Sequence, residues 1–85
     1  SRATPGFWKC YHRLPLREQQ RARKAFQTWQ DNPNSPGLRF KRVSEKEPIY
    51  SARVSEDYRA LGLLEGDTLI WFWIGDHAEY ERILK

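Results

Sequence analysis

The chain has 85 residues, enough for one modest hydrophobic core; 31% of them are charged and 14% aromatic. That balance excludes a disordered chain, and no apolar run approaches the roughly 18 residues of a membrane-crossing helix. The net charge of +4 is unevenly spread: residues 1–42 hold ten Lys/Arg against two acids, and residues 43–85 hold five against nine.

Such asymmetry points to an anionic partner met mainly by the first half, nucleic acid above all, or to charge that serves only solubility. The N-terminus lacks the apolar core of a signal peptide. A single Cys10 rules out an internal disulfide and is too little for a cysteine zinc site, so a cytoplasmic, reducing setting is expected. With no methionine anywhere, a processed start is expected, with a few residues missing before Ser1. Residues 1–85 are read as one domain.

In chain order, Phe7–His12 alternates loosely and is β-prone, which predicts a short first strand. A helix is expected from Leu14-Pro15 to Asp31, with Pro15 in its first turn. Ala22, Ala25, Phe26 and Trp29 recur at helical spacing as its core stripe. Arg17, Arg21 and Lys24 form a second, basic stripe on another face. Asn32-Pro33 and Asn34-Ser35-Pro36-Gly37 break the helix.

Strands follow. Leu38–Val43 alternates, with Leu38 and Phe40 on one face and Arg39 and Lys41 on the other. Residues 49–55 and 58–64 read as two strands joined by the acidic turn Glu56-Asp57. Glu65-Gly66-Asp67 turns into Thr68–Ile74, apolar on both faces and therefore expected in the middle of the sheet. Gly75 is expected to end that strand. Asp76 is expected to cap a closing helix, with Glu79 in the capping-box position. The order β-α-β-β-β-β-α gives an α+β fold: a curved antiparallel sheet packed by one main N-terminal helix, with a short C-terminal helix.

Three residues stand out chemically. Arg53 and Arg59 sit inside two hairpin-paired strands, whose half-buried faces usually prefer apolar or β-branched residues. Either they pair with Glu56, Asp57 or Glu65, or they flank a phosphate with bidentate donors. His77 follows the central strand at a helix start, where it is either a surface residue or a proton-transfer group. No ligand spacing for zinc or iron, glycine-rich phosphate loop or GxSxG motif is present, so neither metal nor cofactor is expected. The four tryptophans, Trp8, Trp29, Trp71 and Trp73, are assigned mostly to the core rather than to base stacking.

Taken together, Ala25-Phe26-Gln27-Thr28-Trp29, Pro36–Lys41, Tyr50–Val54, Tyr58–Gly62 and Trp71–His77 resemble the RelE/ParE superfamily of bacterial type II toxins, over nearly the whole chain. The resemblance implies a toxin held inactive by a cognate antitoxin protein. For many members it also implies metal-independent cleavage of mRNA on the ribosome, which inhibits translation. Carried over by residue, Arg53 and Arg59 take the places of basic residues at the scissile phosphate. His77 falls where the RNase branch carries an arginine or a histidine. Tyr80 is the candidate for a C-terminal tyrosine, and Arg39 and Lys41 extend the basic surface toward RNA, with Arg17, Arg21 and Lys24 on the helix. RelE carries a lysine where this chain has Ser51. The leading expectation is an endoribonuclease. The alternatives are a ParE-like inhibitor of DNA gyrase and an inactive toxin fold that only binds.

Overall fold

The computed structural model describes residues 1–84. The chain opens on a two-residue strand, β1 (Arg2–Ala3), and then turns at once into a helix, α1 (Pro5–Arg13). This corrects the strand expected over Phe7–His12. Thr4 Oγ1 accepts from the Phe7 amide at 3.1 Å, and Pro5 supplies a preset φ in the first turn. Phe7, Tyr11 and Leu14 then fall at i, i+4 and i+7 and are all buried. The apparent alternation was a helical stripe seen through a window too short to tell the two periods apart. The helix stops at Leu14, whose extended backbone (φ −69°, ψ 148°) suits the residue before a proline.

The main helix, α2 (Leu16–Asp31), starts directly after Pro15, which precedes the first turn rather than sitting in it. Ala22 and Ala25 are buried and Phe26 and Trp29 partly so, as the periodicity predicts. Beyond it, Pro36–Leu38 forms a single 3₁₀ turn, and Arg39 adopts the left-handed region (φ 45°, ψ 41°). That turn shortens the strand expected over Leu38–Val43 to β2 (Lys41–Arg42). Leu38 is instead tucked into the interior.

The rest of the sheet comprises β3 (Ile49–Arg53), β4 (Tyr58–Glu65) and β5 (Thr68–Asp76), followed by α3 (His77–Leu84). The order across the sheet is β1-β5-β4-β3-β2. Four strands run antiparallel, and β1 pairs in parallel with β5, so the sheet is mixed rather than wholly antiparallel. As expected, β5 lies inside the sheet, although it runs through Gly75 to Asp76. Asp76 caps α3 as expected, its Oδ1 accepting from the Glu79 amide at 2.9 Å.

One irregularity lets β5 serve both faces. Leu61 faces Trp73 across the ladder and Gly62 faces Trp71, so Phe72 is the extra residue of a bulge. Leu69, Trp71 and Ile74 therefore all join the core beneath α1 and α2, with Phe7, Tyr11, Ala22, Ala52 and Ala60. Trp73 turns to the opposite face, where it packs with Leu61 and Tyr80. Trp29 and Phe40 close the first core against Trp71. Of the four tryptophans only Trp8 is largely exposed.

Candidate functional site

The face of the sheet away from α1 and α2 carries an open cleft of about 540 Å³. Its floor comes from alternate residues of β3 and β4. Ser51 and Arg53 share one face of β3, with Arg59 and Leu61 opposite them on β4. The closing wall is α3, through His77, Tyr80 and Glu81, and the other wall is Arg39, Lys41 and Arg42. Five cationic residues thus line one cleft, although the Arg42 guanidinium is engaged by the Ser44 and Glu45 carbonyls, and among the described residues the cleft's only carboxylate is Glu81.

Arg53 and Arg59 are direct cross-strand partners. Like charges placed so are unfavourable for the sheet, so their pairing calls for a compensating anion. Among the described residues neither has a carboxylate at salt-bridge distance, which leaves the ion-pair alternative without its acid. What holds them is backbone. Arg59 Nη1 donates to the carbonyls of Ser55 (2.7 Å), Tyr58 (2.9 Å) and Glu56 (3.1 Å), and Arg53 Nε donates to Ser55 (3.4 Å). These carbonyls orient the guanidinium groups without neutralising them. Burial first, and then the facing Arg53 charge, hold the Arg59 guanidinium below the usual arginine value. Arg39 adds to that lowering, while Tyr80 and Asp57 oppose it. An arginine stays protonated at neutral pH even so.

On the third side, the His77 amide donates to the Asp57 carbonyl at 2.7 Å, which ties the start of α3 to the β3–β4 turn. The His77 ring stacks on Tyr80 (centroids 5.7 Å, 24° between planes), and its Nε2 lies 3.1 Å from Glu81 Oε1. Tyr80 is buried against Trp73 and gives its hydroxyl proton to Ser51 Oγ at 3.1 Å. A histidine, a carboxylate and two oriented arginines around one cleft are the groups needed to move protons beside a phosphate. Among the described residues, no three His, Cys, Asp or Glu side chains converge as metal ligands would.

The structure therefore brings together Arg39, Lys41, Arg53, Arg59, His77 and Tyr80. Arg17, Arg21 and Lys24 lie apart from them, exposed on α2, which covers the other face. Arg21 is moreover committed to Glu18, Nη1 to Oε2 at 2.9 Å. Two charged cleft residues escaped the sequence reading as site members. Arg42 was obscured by the expectation of a longer strand; Glu81 sits four residues after His77, the i,i+4 spacing that makes helix neighbours, and that spacing was the available signal.

A family model for a ParE-like toxin domain matches residues 17–82. The chain belongs to that toxin family. Every residue lining the cleft up to Glu81 lies inside the matched span, whereas β1 and α1 lie before it. No curated protein matches the chain in sequence. Among solved structures, this toxin domain is similar to a chain of the RelB–RelE antitoxin–toxin complex from Methanococcus jannaschii, with a TM-score of 0.75, 20% identity and complete coverage of both chains. It is also similar to a copper-bound mutant toxin from Helicobacter pylori, with a TM-score of 0.73, 21% identity and coverage of 92% of this chain and 93% of that one. At such identities the likeness is one of fold, and it places the toxin domain in the RelE/ParE superfamily together with the family match.

Proposed function

We propose that this toxin domain is an endoribonuclease that cleaves mRNA by attack of a ribose 2′-OH on the adjacent phosphate, with an antitoxin protein as its inhibitor. The observation that carries this reading is the Arg53–Arg59 pair, two oriented guanidinium groups beside His77 with no carboxylate partner among the described residues. In the reaction the 2′-oxygen forms a bond to phosphorus and the bond to the 5′-oxygen breaks, which leaves a 2′,3′-cyclic phosphate and a 5′-hydroxyl. Arg53 and Arg59 face the non-bridging oxygens, where negative charge develops. His77 and Glu81 divide the two proton transfers, one taking the proton of the 2′-OH and the other supplying the proton that leaves with the 5′-oxygen. Tyr80, its hydroxyl on Ser51, supports the His77 ring from beneath rather than transferring a proton. Arg39 and Lys41 carry the flanking phosphates of a single strand.

A second reading, inhibition of DNA gyrase, draws on the ParE-like family match, since the ParE branch shares the fold without RNA chemistry. One experiment separates the two. The chain is expressed inducibly, and protein synthesis, DNA synthesis and mRNA integrity are followed for the parent, His77→Ala and Arg59→Ala. Cut mRNA and arrested translation, both relieved by either substitution, are expected. Arrested DNA synthesis with intact mRNA would select the gyrase reading instead.

A further inference from the structure

The turn that holds the two cleft arginines is itself held from the far side of the sheet. Ser55 Oγ donates to Glu18 Oε1 at 2.7 Å, a contact between residues 37 apart in sequence. Glu18 is one of the few buried polar residues, and its other carboxylate oxygen accepts from Arg21 at 2.9 Å. A buried carboxylate is tolerated only when its oxygens are hydrogen bonded, so these contacts lock Glu18 in one geometry. Ser55 then faces two ways. Its hydroxyl goes to Glu18 on α2, and its carbonyl oxygen accepts from both Arg53 and Arg59.

We infer that Glu18 and Ser55 are positioning residues, a link from α2 through the β3–β4 turn that sets both guanidinium groups at the spacing of one phosphate. The inference rests on the RNA-cleaving role given to Arg53 and Arg59 above. Neither Glu18 nor Ser55 touches the cleft; they act through a single carbonyl. Because that oxygen is shared, a displacement of Ser55 moves two arginines at once. Misplacement of a catalytic group by about 1 Å costs as much as 10²-fold in rate. The link also gives the buried Glu18 a task that core packing does not explain, because an apolar residue would fill its place without a desolvated charge.

The test compares Ser55→Ala, Ser55→Thr, Glu18→Ala and Glu18→Gln in the full chain. Guanidinium N–H signals of Arg53 and Arg59 are read by NMR, alongside kcat and KM for a single-stranded RNA oligonucleotide. Ser55→Ala and Glu18→Ala should shift or broaden both arginine signals and lower kcat by about tenfold or more, with KM changed by less than about threefold. Ser55→Thr should restore both readouts, and Glu18→Gln, which keeps an oxygen for the Ser55 hydroxyl, should lie between. Where the alanine variants melt below the assay temperature, Glu18→Gln decides: shifted arginine signals with a lowered kcat uphold the link, and both unaltered overturn it. Arginine signals and kcat unaltered in folded Ser55→Ala and Glu18→Ala would overturn the link. Shifted arginine signals in a chain whose parent cuts no RNA would uphold the link while overturning the endoribonuclease reading.

Discussion

The two faces of the sheet are built from the same strands by opposite rules. Beneath α1 and α2, β3 and β4 contribute Ala52 and Ala60, both nearly inaccessible, and small residues here let Phe7, Tyr11 and Trp71 pack close. One residue away on the same strands, the other face presents Arg53 and Arg59 as direct neighbours. The first face obeys burial of apolar surface, worth on the order of 25 cal/mol per Å². The second runs against it, setting like charges side by side and leaving Arg39 in a left-handed conformation that costs a non-glycine residue about 1–2 kcal/mol. Such local departures from stability rules cluster where a ligand, once bound, repays them. The contrast teaches where to look: the covered face keeps the domain folded, and the open face gives up part of that stability to hold like charges together, which is where an anion site is proposed.

That division is open to direct attack from both sides. The largest expected effect is on the covered face. Phe7→Ala should cost about 3–5 kcal/mol of folding free energy, read as a fall in thermal midpoint of well over ten degrees by circular dichroism. On the open face, Arg59→Ala should lower RNA cleavage by about 10²–10³-fold. Folding stability should hold or rise slightly in that variant, since a like-charge neighbour of Arg53 is removed; cleavage assays and thermal melts on the same preparation give both numbers. A large loss of stability would mean that Arg59 belongs to the scaffold.

A residue at the boundary should show both effects at smaller size. A Cβ on Gly75 would come within 2.5 Å of Trp73 Cζ2, and Gly75 is the ladder partner of Arg59. Gly75→Ala should therefore cost about 1–3 kcal/mol as the Trp73 ring is displaced, with a further loss of cleavage as Tyr80 and His77 lose their support. Retained stability together with retained cleavage would show that the ring moves freely. The smallest effect is expected on α2. Replacing Arg17 and Lys24 by alanine should barely alter the salt dependence of RNA binding, whereas Lys41→Ala should lower the slope of log K against log salt by about 0.7, the loss of one phosphate contact on a single strand. An equal fall in both would extend the RNA path across the helical face.

Much of this architecture is legible in the chain itself, because it follows from local rules. Alternation placed Ser51 and Arg53 on one face of β3, the Glu65-Gly66-Asp67 turn set the β4–β5 hairpin, and Asp76 with Glu79 marked the start of α3. The period of Ala22, Ala25, Phe26 and Trp29 predicted α2 and its buried side. The exception, α1, had a readable start in Thr4-Pro5, yet its aromatic and sulfur side chains favour a strand locally, and only burial of Phe7 and Tyr11 against β5 decides for the helix. Nor does local pattern dictate the parallel pairing of β1, the bulge at Phe72 that sends Trp71 and Trp73 to opposite faces, or the 3₁₀ turn that swings Arg39 into the cleft.

The site divides in the same way. Residue types at strand and helix ends singled out Arg53, Arg59 and His77, because charge within a strand is locally anomalous and visible in one dimension. Their register, the addition of Arg42 and Glu81 to the cleft, the exclusion of Arg17, Arg21 and Lys24 from it, and the link from Glu18 to Ser55 were decided only by tertiary structure. These depend on which backbone atoms meet across tens of residues, and no local periodicity encodes such a meeting.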